Sequence, residues 1–555
     1  MLQENTKTLN AIFGRVEADR EARPWLHLEL AGDGASFSRA ELLRDGARLW
    51  PADLFAAHAQ RRDIVLISMK ISQTTISAYL GAIRAGLVPA FVAPLTEKQH
   101  SDRHWRNLNE LCRNTGATVL YVDDNQFVEA RKLISSSKTK VFSPRQCDGH
   151  EKWIAAFKPN PCDVAFMQFT SGTTGMRKAV NVTHAMLLDH IRAYGGCLPL
   201  RDDDVIVSWL PLYHDMGLIA CFMMGMVAGT TLVILDPIEW VRVPSTLFDA
   251  IEKHQGTICY LPNFSFNHLT LTTPTEAAYD LHGMRAFINC SEPCLESTFE
   301  KFLTRFAEFG VRAEQLQTSY AMAESIFAVT QSKLLTPTRA RQSAKPAANN
   351  GNGDGGGLSF LSSGKPIPGA AVRIRGESGE LLPAGEVGEI ETAAPWLFQG
   401  YVVFNGQGDG GLHIDNSDIS DGWHRTGDLG LLDDDELFVV GRIKDIIIVN
   451  GRNYLAHEIE AAAAEVLGIK KGRQVAFGRT DEFSGSEELI ILTELETPAQ
   501  QCDKDLRRQV KKAVLDEFAL NPRVEFVAPG TLIKSTSGKL SRDKSREVFL
   551  NNDRR

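Results

Sequence analysis

Residues 166–180 read Phe166-Met167-Gln168-Phe169-Thr170-Ser171-Gly172-Thr173-Thr174-Gly175-Met176-Arg177-Lys178-Ala179-Val180. An apolar run enters a stretch of hydroxyls, two glycines and one lysine. Glycines let backbone N–H groups approach a ligand closely. The hydroxyls donate hydrogen bonds and the lysine supplies a point charge, which together is chemistry for holding phosphate. The stretch is not a Walker loop, which needs four residues between its glycines and Gly-Lys-Ser/Thr at its end. Here two residues separate Gly172 from Gly175, and Ala179 follows Lys178. Taken alone, the same composition also describes a polar turn between two strands.

Four further stretches follow in order: Ser319-Tyr320-Ala321-Met322-Ala323-Glu324, Thr426-Gly427-Asp428, Gly441-Arg442-Ile443-Lys444-Asp445 and Ser537-Gly538-Lys539. With the first, they resemble the motifs of the adenylate-forming ligases. That family has a phosphate loop Thr-Ser-Gly-Thr/Ser-Thr-Gly-x-Pro-Lys-Gly, a Tyr-Gly-x-x-Glu, a Thr-Gly-Asp, a hinge motif and a C-terminal lysine loop. Arg177 stands where the family usually has proline, and Ala179 where it has glycine. Neither change removes a donor that the loop needs.

The chain has 555 residues, too many for one core, so two or more domains are expected. Its hydrophobic content of 43% and charged content of 23% are those of a globular protein. A net charge of −9 argues against nucleic acid as the main partner. The nine cysteines are scattered and odd in number, which reads as reduced thiols in the cytoplasm rather than a disulfide framework or zinc site. No secretory signal is visible after Met1. Leu218–Leu235 is eighteen residues without a charge, the lower limit for a membrane span. Gly225, Gly229 and Thr230-Thr231 interrupt it, so a buried helix and strand are expected there.

Strands at 63–70, 88–93, 117–122 and 162–169, with a helix at 72–85, imply parallel sheets covered by helices. The expected architecture is α/β: a large N-terminal domain over 1–441, then a small mobile α+β domain over 442–555. Within the first, the polar, glycine-rich stretch 331–357 is expected to be a mobile insertion, and 359–441 a small β-subdomain. The small domain should carry strands at 445–449 and 489–493 and helices at 456–466 and 504–518, with a hinge near Lys444.

The resemblance implies ATP-dependent activation of a carboxylic acid to an acyl-adenylate, then passage of the acyl group to a thiol. Carboxylate attack on an anionic phosphate requires positive charge and donors at the approach. Lys539 is the implied bridge between acyl carboxylate and α-phosphate. Lys178 and Thr170, Ser171, Gly172, Thr173, Thr174 and Gly175 are implied to hold the phosphates, and Glu324 Mg2+. Tyr320, with Ala321 and Met322, is implied to line the adenine, and Asp428 and Arg442 the ribose. Asn289-Cys290-Ser291-Glu292-Pro293 resembles the strand on the other adenine face, which makes Ser291 and Glu292 candidates; Cys290-Ser291 departs from the commoner Gly-Ala.

Trp209-Leu210-Pro211-Leu212-Tyr213-His214-Asp215-Met216-Gly217-Leu218 resembles the Leu-Pro-x-Tyr-His-Asp-Met-Gly-Leu of the fatty acyl-AMP ligases. This branch implies a fatty acid substrate, with His214 at its carboxylate end, and the phosphopantetheine thiol of an acyl carrier protein as acceptor. No carrier motif follows Lys539, so the carrier is expected to be a separate chain. The apolar stretch 220–227 suits an alkyl pocket or core packing equally. The basic residues Arg507, Arg508, Lys511, Lys512, Arg542 and Lys544 are candidate carrier contacts. An acyl-CoA synthetase of the same fold, or a non-catalytic acyl- or nucleotide-binding relative, stays open on the residues alone.

Overall fold

The computed structural model describes residues 5–19, 22–30, 33–55, 59–96, 101–169, 178–342, 359–404, 412–449, 452–466, 472–481, 486–497, 503–534 and 540–553. Near the N-terminus, Ile64–Ser68 is an apolar run buried at every position. It lies inside a parallel sheet ordered Val88–Phe91, Ile64–Ser68, Val119–Val122, Lys140–Phe142. Burial on both faces explains why these strands do not alternate polar with apolar. The helix Gln73–Ala85 starts where the Ser72 side chain accepts the Thr75 N–H and ends at Gly86, φ +79°. Both signals are readable in the sequence.

A nine-stranded sheet forms the centre. Its order is Lys365–Pro366, Ala328–Gln331, Leu316–Ala321, Ala286–Cys290, Ile258–Pro262, Val205–Ser208, Thr231–Leu235, Leu26–Leu30, Asp33–Phe37. The six strands from Leu316–Ala321 to Leu26–Leu30 run parallel, and the flanking strands are antiparallel. The uncharged stretch after His214 is a π-helix over Met216–Met223 and an α-helical turn over Met224–Ala228, which Gly229 (φ +80°) closes. The buried strand Thr231–Leu235 follows. Among the described residues no helix is long and apolar enough to cross a membrane. Phe222, Met223 and Met226 are fully buried, and the Phe222 ring lies 5.9 Å from Trp25 and 6.4 Å from Tyr79, so core packing accounts for this stretch.

Val164–Phe169 and Ala179–Thr183 pair antiparallel with Phe169 opposite Ala179, and Tyr401–Phe404 joins them through Val402 opposite Ala179. Another antiparallel sheet contains Ala371–Arg375, Gly388–Ala393, Trp423–Asp433 and Glu436–Arg442. Beyond Arg442, Gln474–Asp481, Ser486–Glu494 and Arg523–Val527 form a sheet, with helices Ala456–Ala464 and Lys504–Phe518. Ile447, Ile459, Ile491, Val510 and Val524 belong to a hydrophobic cluster of their own.

The expected mobile insertion does not hold over residues 331–342. Gln331 closes the strand Ala328–Gln331 and donates to the Thr318 carbonyl at 3.0 Å. Ser332 donates to Gln317 at 2.6 Å. Ala340–Gln342 pairs with Ser359–Leu361, and Arg339 and Arg341 both reach Asp433. A polar stretch is held in place when its polar groups find partners, and these do. The remainder, 343–357, lies outside the described residues.

Candidate active site

Two groups of candidates come together. Tyr320 is the penultimate residue of the strand Leu316–Ala321 and is 8% exposed. Its hydroxyl donates to Asp428 Oδ2 at 2.7 Å, and Arg442 Nε lies 2.8 Å from Asp428 Oδ1. Asp428 opposes Arg442 in register on neighbouring strands, so the sheet itself sets this pair. Gly427 at φ +70° and the Asp428 N–H bond to Thr426 Oγ1 (3.1 Å) turn the carboxylate toward the tyrosine. Burial, and then the Asp428 charge, hold the Tyr320 phenol well above its ordinary range. The Asp428 carboxylate likewise raises the Arg442 guanidinium.

The second group is Lys178, Glu324 and a residue absent from the sequence reading, Tyr401. The Tyr401 hydroxyl donates to Glu324 Oε1 through a short hydrogen bond. Lys178 Nζ sits 4.2 Å from the centre of the same ring. Glu324 stands in the turn Ala323–Ser325, which the Met322 N–H bond to the Phe327 carbonyl (2.9 Å) folds back. Met322 and Ala321 thus connect Tyr320 to Glu324. His424, 2% exposed and 4.9 Å from the Phe398 ring, was also missed; burial lowers its pKa. The only sequence signals for these two were a tyrosine after Gly400 and a histidine before Arg425-Thr426-Gly427-Asp428.

Ser291 follows the strand Ala286–Cys290 in a left-handed conformation, φ +74°. The Glu292 carboxylate turns away and accepts the Phe264 N–H at 3.0 Å, in the first turn of the helix Asn263–Thr272. His214 lies two residues before the π-helix; its ring meets Tyr213 at 4.9 Å and its carbonyl accepts the Leu218 N–H at 2.8 Å. Insertions of this kind in helices recur at functional sites. A Cβ on Gly217 would fall 2.4 Å from the Pro211 carbonyl oxygen, so this bend requires glycine.

Thr170, Ser171, Gly172, Thr173, Thr174, Gly175 and Lys539 lie outside the described residues. Their frames are described. Phe169 opposes Ala179 on either side of the first loop. Lys534 bridges to Leu540 across the second, and the Ser541 N–H donates to Ile533 at 2.8 Å. Arg542, expected as a carrier contact, instead pairs with Asp445 at 2.7 Å and Glu460 at 2.7 Å, half-buried. Arg507 lies over the Phe526 ring at 5.3 Å, and Arg508 pairs with Asp505 at 3.4 Å on the exposed side of its helix.

The pattern of the AMP-binding enzymes matches residues 17–402. The chain belongs to this family. Its relatives include three proteins named as ligases, two of them as fatty acid ligases. The "putative ligase Rv1013" of Mycobacterium tuberculosis is 34% identical over 69% of this chain and 71% of its own. The long-chain-fatty-acid–AMP ligase FadD26 of Mycobacterium marinum is 29% identical, covering 84% of each chain. The medium-chain-fatty-acid–[acyl-carrier-protein] ligase JamA of Moorena producens is 28% identical over 86% of this chain and 83% of its own. Among solved structures, one from a study of fatty acyl-adenylate ligases of E. coli and L. pneumophila superposes with a TM-score of 0.88 at 22% identity, covering all of both chains. The AMP-binding enzyme is therefore an adenylate-forming ligase, and the resemblance to the fatty acyl-AMP ligases is borne out.

Proposed function

We propose that this ligase activates a fatty acid with ATP, releases pyrophosphate, and passes the acyl group to the phosphopantetheine thiol of a separate acyl carrier protein. The observation that carries this reading is the meeting of Lys178 and Glu324 on Tyr401, one short turn from the Tyr320–Asp428–Arg442 set. An ammonium and a carboxylate on one support suit a nucleotide's phosphates and their cation. A buried aromatic ring beside a carboxylate suits adenine and ribose. The names of FadD26 and JamA support the fatty acid, and JamA's supports the carrier.

In the first step a carboxylate oxygen of the acid bonds to the α-phosphorus. The bond from that phosphorus to the bridging oxygen breaks, and pyrophosphate leaves. Both reactants are anionic, so preorganised positive charge lowers the barrier. Lys178 and the Thr170–Gly175 loop hold the leaving phosphates, Lys539 bridges carboxylate and α-phosphate, and His214 positions the carboxylate. Tyr320 stacks on adenine with Ala321, Met322 and the Ser291–Glu292 backbone around it. Asp428, steadied by Arg442, accepts the ribose hydroxyls. Glu324 would hold Mg2+: its carboxylate, oriented by the Tyr401 hydroxyl, offers the hard oxygen donor that this cation takes. Bound there, the ion supplies charge neutralisation at the phosphates.

In the second step the thiolate sulfur bonds to the acyl carbon and AMP leaves. The small domain, residues 442–555, turns about Lys444 between the steps. The eight described cysteines are free thiols, in keeping with a reducing cytoplasm. The test is pyrophosphate release with short-, medium- and long-chain fatty acids and aryl acids, followed by transfer to holo carrier protein and to CoA. Fatty acids are expected to turn over and the carrier to be acylated. Efficient transfer to free CoA would replace this reading with an acyl-CoA synthetase.

A further inference from the structure

We infer that Tyr401 is a positioning residue that sets both the phosphate-side lysine and the metal-side carboxylate. This rests on the roles given above to Lys178 and Glu324. Tyr401 opens the strand Tyr401–Phe404, and Val402 lies opposite Ala179, the residue after Lys178. In this antiparallel register Tyr401 falls diagonal to Lys178 on the same face, and the lysine Nζ sits 4.2 Å from the ring centre. The ring's negative face takes the ammonium, while its hydroxyl takes Glu324 Oε1.

The same short segment grips Glu324 twice. The Phe398 N–H donates to the Glu324 carbonyl at 2.8 Å, and the Phe398 ring packs against Tyr401 at 4.9 Å. Gly400 makes this possible: at φ +130°, a Cβ would fall 2.6 Å from the Asp415 carbonyl oxygen. One rigid aromatic group thus fixes the spacing between two opposite charges.

The test uses Tyr401→Phe, Tyr401→Leu, Glu324→Gln, Lys178→Ala and the double variant Tyr401→Phe/Glu324→Gln in the full chain. ATP binding is measured by calorimetry with and without Mg2+, alongside pyrophosphate release and thermal melting. Tyr401→Phe keeps the ring and loses one hydrogen bond to a charged group, so its Mg2+ midpoint is expected to rise about tenfold. Its metal-free ATP affinity should stay near wild type. Tyr401→Leu should also weaken metal-free ATP binding by about threefold or more, because the ring beside Lys178 is gone. In the Glu324→Gln background, Tyr401→Phe should change the Mg2+ midpoint little, since the two act through one contact. A folded Tyr401→Phe that titrates with Mg2+ like wild type overturns the proposal, as does full additivity with Glu324→Gln. If Lys178→Ala and Glu324→Gln themselves match wild type, the reading of the site fails and the proposal falls with it.

Discussion

Asp428→Ala separates two things that one carboxylate does. In the structure it accepts the buried Tyr320 hydroxyl at 2.7 Å and pairs with Arg442 at 2.8 Å. Truncation leaves that hydroxyl without its acceptor, which costs about 1–3 kcal/mol. Arg442 is 55% exposed, so water replaces its partner and the loss there is about 0–1 kcal/mol. The expected destabilisation is therefore about 1–4 kcal/mol, read as a lower melting temperature. ATP affinity should fall by about tenfold or more, because even one ribose hydrogen bond to a charged acceptor is worth that much. The double variant Asp428→Ala/Tyr320→Phe removes the orphaned hydroxyl as well. It should regain most of the melting temperature and none of the ATP affinity. Calorimetry and thermal melting on the three proteins decide the matter. ATP affinity unchanged in Asp428→Ala, or restored in the double variant, would refute the ribose role.

Lys539→Ala should slow acyl-AMP formation by about 10²–10³, measured as pyrophosphate release, while transfer from supplied acyl-AMP persists; a wild-type rate of release would remove Lys539 from the first step. Gly217→Ala drives a methyl into the Pro211 carbonyl and should destabilise the fold by about 1–3 kcal/mol while displacing His214, seen together in melting and in fatty acid KM. Burial lowers His184 to about 4, and His190 and His457 to about 3, from an ordinary 6.5. Below pH 6.5 the unfolded chain therefore binds protons that the folded one refuses. Stability is full above that value and should fall by about 1.4 kcal/mol per histidine per pH unit on acidification toward those values; His190→Phe should flatten the melting-temperature slope. Charge reversal at Lys511 and Lys512 should slow acylation of an acidic carrier and reduce its salt dependence, with pyrophosphate release unchanged; equal carrier rates at low salt would take this helix out of the docking surface.

Elements with local signals were legible. The helix Gln73–Ala85 lies between a serine cap and a glycine stop, and Lys504–Phe518 shows an apolar stripe at Leu506, Val510 and Val514. The uncharged stretch after His214 resolved as helix and strand because Gly229 breaks it. Tyr320, Asp428 and Arg442, each taken from a different motif, meet in space. Tyr401 was not legible: its partner Glu324 is 77 residues away, and only register against Ala179 places it. Arg542 looked like a free surface charge because Asp445 and Glu460 lie far from it in the chain. Residues 331–342 looked unstructured because their order comes from hydrogen bonds and ion pairs rather than apolar burial. Sequence composition reports the second readily and the first hardly at all.

The ion pairs around Lys444 sort themselves by side. Asp428 and Arg442 both precede the bond between Ile443 and Lys444. Lys444 with Asp543, and Asp445 with Arg542, both follow it. A recombinant enzyme spliced at that bond would carry each of these charge pairs intact from a single parent. Moving the junction two residues back would split Asp428 from Arg442, and two residues forward would split both Lys444 from Asp543 and Asp445 from Arg542. For exchanging the C-terminal portion between relatives, this one peptide bond is the natural seam.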